Sequence, residues 1–497
     1  MAIKLADTLK PMGDFPAADA SDVEITLLDE TKKSIQQAYE DGDFGGGSGD
    51  VDQTYDADSP RAQAGKAVAE AILGIFSENE KATITAPVAS TVTISESSNI
   101  AGLFRDDKLI PATGTIIKGN LITNMSHTFE NSTAVSSGRV AIQNFDTSCN
   151  MDYAYANSAV TTIAPMPSYP TSMIGTFMNC QQFNAPVTVP DSVTNGSNMF
   201  YNCSNFNQPV GNLDNLTDGS GMFESCYNFN QPVGNLDNLT NGANMFYDSD
   251  FNQPVGNLDN LVNGSYMFKS CIYFNQPVRN LDNLTDGSGM FSVCRNFNQP
   301  ITNLNNLVNG SCMFQSCYNF NQPVRNLDNL TNGSNMFNYC VSFNQPLNLS
   351  NLTSGSLMFN SCSNFNQPVG NLDNLTDGSG MFQSCNNFNQ PVGNLDNLTD
   401  GSNMFSRCTN FNQPVSNLDN LVNGSRMFSM SSFNQPLYLG DKITDMEEML
   451  SSSPWNSVVH LPTTVPKSTS NYIYNCLVNG NCGVSVPAAN IFNDRVL

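Results

Sequence analysis

A period of 22 or 23 residues restricts the fold of this chain more than any other feature. A Phe, usually in a Met-Phe pair, recurs at Phe177, Phe200, Phe223, Phe246, Phe268, Phe291, Phe314, Phe337, Phe359, Phe382, Phe405 and Phe428. One unit reads MF-x-x-C-x-x-FNQPV-x-NLDNL-(T/V)-(D/N)-G-S. A unit this short cannot enclose a core of its own, so its Phe, Cys, Val and Leu must be buried against neighbouring units. The expected fold is a repeat solenoid, mainly β, with one coil per unit and inward columns of the fixed apolar residues. Pro removes a ladder donor, which places Pro209 and its equivalents at a strand end or corner. FNQPV or its immediate neighbour is the candidate strand. DGS and NGS are turns in which Gly is expected to supply positive φ.

Two steps are one residue short. Between Phe246 and Phe268, YDSD replaces the usual Cys-containing segment; between Phe337 and Phe359, NLSNL replaces GNLDNL. Each loss should pinch an outer arc and leave the core columns aligned.

Composition narrows the class. The 497 residues suffice for several domains or one long array. Charged residues make up 13%, about half the usual share, while 39% are hydrophobic, which does not fit a disordered chain. A formal charge of −24 argues against nucleic acid or anionic membrane as a partner. No run approaches the length of an apolar membrane span, so no membrane insertion is expected. The N-terminal MAIKLADTLKPMGDFPAADA lacks the apolar centre of a signal peptide, and export by the usual secretory route is not expected.

The unit MFESCYNFNQPVGNLDNLTDGSGMF resembles the BspA-type branch of leucine-rich repeats, over about residues 171–440. The resemblance implies a curved solenoid and, as in many members, surface adhesion. Where many members carry Trp after the FNQ block, this chain has Asn-Leu-Asp; its one tryptophan is Trp455, in the C-terminal cap of residues 441–497. Residues 1–46, opening MAIKLADTLKPMGDFP, resemble the N-terminal region of phage head fibre proteins. That resemblance implies a capsid-anchoring segment that contacts the major capsid protein or another capsid component. It also implies a virion protein on the capsid exterior, assembled in the host cytoplasm. Within this segment, ETKKSIQQAYEDG is a short helix candidate.

A Gly-rich linker follows at 47–58 and should act as a hinge. Residues 59–82 read as a helix: Ser59 can cap it, Pro60 suits its first position, and Ala64, Val68, Ala71 or Ile72, and Ile75 share one face. That face either packs on the next domain or joins identical chains in a homo-oligomer, with a trimer favoured. Residues 83–170, rich in Thr, Val and Ile, read as a β-rich cap with divergent repeats. MSHTFENS at 125–132 looks like a worn copy of NGSNMFYNC.

Several chemical readings fail on their residues. Ten of fourteen cysteines share one repeat position: Cys180, Cys203, Cys226, Cys271, Cys294, Cys317, Cys340, Cys362, Cys385 and Cys408. Equivalent side chains point the same way, which spoils bridge geometry, so a column of reduced core cysteines is expected. No CxxC pair exists and the only histidines are His127 and His460, so zinc is not expected. DNLTDG at Asp214–Gly219 is no calcium loop: Leu216 holds its third position and Ser225 its twelfth. Columns of Asp at 214, 237, 259, 282 and 328 make a solvated edge or hold cations weakly between coils. The many NLT and NGS triplets match glycan acceptors. In a regular repeat they read better as Asn ladders that satisfy backbone groups. No catalytic constellation is present, and neither an enzyme nor a cofactor is expected.

A binding surface should lie where coils differ while the frame stays fixed. The positions after Cys and after Pro-Val vary, and the middle coils collect Tyr227, Tyr273, Arg279, Arg295, Tyr318 and Arg325. Aromatic and Arg residues are enriched in recognition patches. The expectation is a capsid-attached head fibre or decoration protein of a tailed phage, with these six residues forming a stripe for a host surface or mucus glycan. A bacterial BspA-like surface adhesin and a purely structural capsid decoration are the alternatives.

Overall fold

The computed structural model describes residues 115–133, 140–162, 172–462 (without 212, 302 and 417) and 477–495. Residue 170 and short pieces at 24–26, 32–34, 91–94, 101–102 and 104–107 are also described. Strand β1 (Glu24–Thr26) pairs antiparallel with β2 (Lys32–Ser34). The helix candidate ETKKSIQQAYEDG is therefore corrected at its start: Lys32–Ser34 is extended, because pairing with the β-branched Ile25 and Thr26 outweighs a weak local helical preference. The proposed helix at 59–82 and the linker at 47–58 lie outside the described residues, as does the rest of 1–46.

The described chain divides into two compact units, one reaching Leu216 and including Gly221–Phe229, the other comprising Thr217–Ser220 and Asn230 onward. In the first unit, β3 (Thr91–Ile94), β4 (Thr115–Asn124) and β5 (Val140–Asn150) form a parallel sheet in the order β3-β4-β5. Beyond β4 and β5 the chain turns through Met125–Ser132 and Met151–Ser158. These turns bring Phe104, Phe129, Tyr155 and Phe177 into one stack, with ring centroids 5.2, 5.1 and 5.5 Å apart. The aromatic column thus begins ahead of the clear repeats. MSHTFENS is a coil of it, through Phe129.

In the second unit two aromatic columns run side by side. Within a coil, Phe314 of the Met-Phe pair lies 4.4 Å from Phe320 of FNQPV; from coil to coil, Phe314 lies 5.4 Å from Phe337 and Phe320 5.8 Å from Phe343. All four rings are fully buried, as are the flanking Met, Cys, Val and Leu positions. The short steps leave these columns intact. Ser249 stands in the Cys column, its hydroxyl donating to the Phe246 carbonyl at 2.7 Å, and Phe246 still stacks on Phe268 at 5.5 Å.

The coils are mainly turns, which corrects the expectation of a mainly β fold. Among the clear repeats of the first unit, the described strands are two residues long, β6 (Val187–Thr188) and β7 (Val210–Gly211), at the Val of FNQPV or its equivalent. Later coils are joined by single parallel bridges, such as Asp286 to Asn309 and Asn394 to Ser416. Two positions adopt the left-handed conformation in coil after coil, one before Met and one two residues after Phe; several coils add a third just past Pro-Val, such as Asn280 and Asn326. In the coil of Phe291 the first two are Gly289, at φ 59°, and Val293, at φ 64°. Alternate amides consequently point along the stack. Gly289 donates to Ser311 of the next coil, Phe291 to Met313 and Val293 to Gln315, while Ser292 closes a turn onto Gly289. Every second amide bonds between coils without a regular strand, which meets the demand that buried backbone be paired.

The role of the turn glycines is also corrected. The Gly of each Asp-Gly or Asn-Gly does not carry positive φ. A Cβ at Gly287 would lie 3.2 Å from both Leu284 and Leu307, so glycine is needed there for space. Positive φ falls two residues later and is borne by Gly, Asn, Tyr, Cys, Leu or Arg.

At the end of the second unit, β8 (Leu437–Tyr438), β9 (Val459–Pro462) and β10 (Ile491–Arg495) form a parallel sheet in the order β8-β9-β10. Trp455 is buried there, its indole N–H donating to the Gln435 carbonyl at 2.9 Å.

Candidate ligand-binding stripe

The frame fixes what any surface residue can do. Asn of each FNQPV makes a ladder along the stack: Asn298 Oδ1 accepts the Asn321 backbone N–H at 2.9 Å and the Gln322 amide at 3.2 Å. Asn of each NLDNL makes another, with Asn306 Nδ2 donating to the Asp282 carbonyl at 2.8 Å. At the turn, Asp286 Oδ1 accepts the Ser288 N–H at 2.9 Å and the Asn309 amide at 3.2 Å. The Asn of the glycan-like triplets are thus spent on the backbone and on each other. The Asp columns interleave with these amides, and among the described residues no group of three or more His, Cys, Asp or Glu could hold a metal ion.

The cysteine column is part of the core. Every described cysteine is a free thiol, and all but Cys312 are buried. Each column thiol faces the preceding coil; Cys317 donates to the Phe291 carbonyl at 3.0 Å. Burial pushes the Cys180 thiol up to about 11 and the Cys271 thiol up to about 12. Such thiols are protonated and unreactive at neutral pH.

All six residues singled out from the sequence are exposed. Tyr227 belongs to the first unit and the other five to the second. In the second unit the coil register places Arg295 and Tyr318 at one repeat position on consecutive coils, with the guanidinium carbon 5.8 Å from the ring centroid. This is a cation–π pair with its outer side open to solvent. Tyr273 stands one residue further along its coil and is 52% exposed. Arg279 and Arg325 occupy the position after Pro-Val, two coils apart, and among the described residues neither makes an ion pair or ring contact. The structure therefore joins two of the six directly.

Sequence reasoning missed a second cluster, at the position before Met and the position after Phe. Lys269 Nζ lies 4.8 Å from the centroid of the Tyr266 ring and 5.1 Å from that of Tyr247. The signal was available, since Tyr247 and Lys269 are one repeat apart and occupy equivalent places.

Comparison with known proteins places the repeats. The family described as "Mycoplasma protein of unknown function, DUF285" matches residues 171–281, 263–372 and 353–458, more than half of the chain. The chain belongs to the DUF285 family. Its DUF285 repeats are leucine-rich-repeat-like coils, with the Leu and Phe columns inside and the Asn ladders along the stack. The chain is also similar to a solved leucine-rich repeat protein from Bacteroides ovatus ATCC 8483, at 17% identity and TM-score 0.39, over 61% of this chain and 85% of that one. Comparison with curated proteins gives no match.

Proposed function

We propose that this DUF285 protein is an adhesive head fibre of a tailed phage, attached to the capsid exterior by residues 1–46 and binding a host surface or its glycans through the variable positions of its coils. The anchor rests on the resemblance of its first residues to phage head fibre proteins. The adhesive part rests on one observation above all: the Arg295–Tyr318 pair stands exposed on an otherwise repetitive frame. Its mechanism is multivalent. Low affinity per site becomes avidity when several copies, most simply a trimer, engage one surface. No step of bond chemistry is assigned to it.

Two experiments test the reading. Deleting residues 1–46 should abolish co-sedimentation with capsids; capsid binding by the truncated chain would remove the anchor. Replacing Tyr227, Tyr318 and Arg325 together by Ala should abolish binding to host cells or mucus glycans with the unfolding midpoint unchanged. Retained binding would displace the stripe. A second reading, a surface adhesin of a bacterium, draws on the Mycoplasma description of the family. It requires the protein to fractionate with a cell envelope and not with virions.

A further inference from the structure

The Tyr247–Lys269–Tyr266 cluster differs in kind from the rest of the surface. Most equivalents of Tyr266 in the array are Asn or Gly, including Asn244, Gly289 and Asn335. Tyr266 holds this left-handed position at φ 56°, and its ring lies against the next coil at Gly289. A Cβ on Gly289 would stand 2.3 Å from two of the ring carbons. The glycine thus makes the seat for the ring, which remains 37% exposed. Preorganised rings bind at a lower cost in side-chain ordering.

Lys269 supplies the second element. Its ammonium is held near two rings, yet among the described residues it pairs with no carboxylate and donates no hydrogen bond to protein. Its donors are free for a ligand in a chain with 44 acidic and 20 basic residues. Residues 263–330 carry Lys269, Arg279, Arg295 and Arg325 against Asp282, Asp286 and Asp328, an excess of one positive charge in an acidic protein. Asp248 and Asp250 stand on the coil before Lys269, with the Asp248 N–H donating to the Lys269 carbonyl at 2.8 Å.

A ligand that uses both elements needs an apolar face for Tyr266 and an anionic group for Lys269. A neutral sugar offers the ammonium hydroxyl acceptors but leaves its charge unpaired, and a bare phosphate or sulfate leaves the ring unused. We infer that Tyr247, Tyr266 and Lys269 form a binding site for an acidic pyranose, with its C–H face on Tyr266 and its carboxylate on Lys269. This deepens the adhesive reading and rests on it: the surface glycan it captures carries uronic or sialic acid residues. Charge-assisted contacts to Lys269 and Tyr stacking together discriminate against the neutral analogue.

The test uses the full chain with polygalacturonate as the probe and neutral dextran as the control, in biolayer interferometry. Polygalacturonate should bind, weakening as salt rises, and dextran should not. Lys269→Met keeps the aliphatic stem and removes the charge. Like Tyr266→Ala, it should weaken binding at least about tenfold, the equivalent of one charge-assisted contact. A second readout is Cys312, the one described cysteine that is not buried. Burial raises its thiol, and the nearby Lys269 charge partly lowers it. Bound polygalacturonate should slow alkylation of Cys312 by iodoacetamide, followed on its peptide by mass spectrometry. Equal affinity for dextran, full affinity in both variants, or unprotected Cys312 would each overturn the site. Host-cell binding by the wild type without affinity for polygalacturonate overturns this inference alone; loss of both overturns the adhesive reading as well.

Discussion

Phe314→Ala is the sharpest test of how the coils hold together. Phe314 is fully buried and packs against Phe320 at 4.4 Å, Phe337 at 5.4 Å, Phe291 at 5.6 Å and Phe297 at 6.4 Å. Deleting a buried Phe side chain costs about 3–5 kcal/mol in transfer and cavity terms. Ring pairs add about 0.5–1.5 kcal/mol each beyond their area, so the upper part of that range, about 4–5 kcal/mol, is expected. Phe104 provides the internal comparison. Among the described residues it stacks on Phe129 alone, at 5.2 Å, and it is 7% exposed. Phe104→Ala should therefore cost about 3 kcal/mol, the low end of the range. Phe314→Leu, which restores most of the volume without the stacking, should cost about 1–1.5 kcal/mol. Urea denaturation followed by circular dichroism gives the totals, and amide exchange with mass spectrometry gives their location. Each coil touches only its neighbours, so faster exchange should concentrate between residues 291 and 359. A cost below about 1 kcal/mol for Phe314→Ala, or an equal rise in exchange from Phe246 to Phe428, would refute nearest-neighbour stacking as the source of stability.

Three further outcomes follow from the same geometry. Gly289→Ala should cost about 1–2 kcal/mol for its positive φ and more for pushing Tyr266 aside; in a Tyr266→Ala background only the φ part remains, and strict additivity in urea denaturation would argue against the contact. Stability should fall on the alkaline side. Folded Cys180 and Cys271 keep their protons up to about 11 and about 12, whereas unfolded thiols lose theirs near 9, so the contribution is complete below pH 9 and is lost as pH rises toward those values. Each such thiol steepens the loss by about 1.4 kcal/mol per pH unit, and a Cys180→Ala, Cys271→Ala variant should show a shallower slope between pH 9 and 11 in urea titrations. Asn298→Ala removes the acceptor for the Asn321 N–H and the Gln322 amide and should cost about 1 kcal/mol, with local exchange at Asn321 as the check.

The core was legible because the repeat aligns it. Once the Phe residues are set in register, Met, Cys, Val and Leu fall into columns that are buried throughout. Tyr155 and Phe104 escaped notice because their spacings to Phe129, 26 and 25 residues, depart from the period and one of them is Tyr. The backbone was hidden for a different reason. Left-handed positions usually announce themselves by glycine or asparagine, yet here Val293, Tyr339, Arg407 and Met430 adopt them. At this position, two residues after Phe, the hydrogen bonds to the next coil hold the conformation, so the residue type there carries no signal. At the candidate site, variability pointed to Arg295 and Tyr318 separately, and only the stacked register shows that they touch.

The sequence alone determined that this chain stacks coils of 22 or 23 residues, and which side chains point inward. Apolar residues repeated at that interval have no other way to leave water. Tertiary structure decided the rest: that the coils are turns with sparse bridges, that glycine after Asp or Asn makes room for Leu, and that Lys269 comes to lie near two tyrosines. Each of these depends on what the adjacent coil presents at hydrogen-bond or ring-contact distance. Local propensity holds no information about a neighbour 22 residues away.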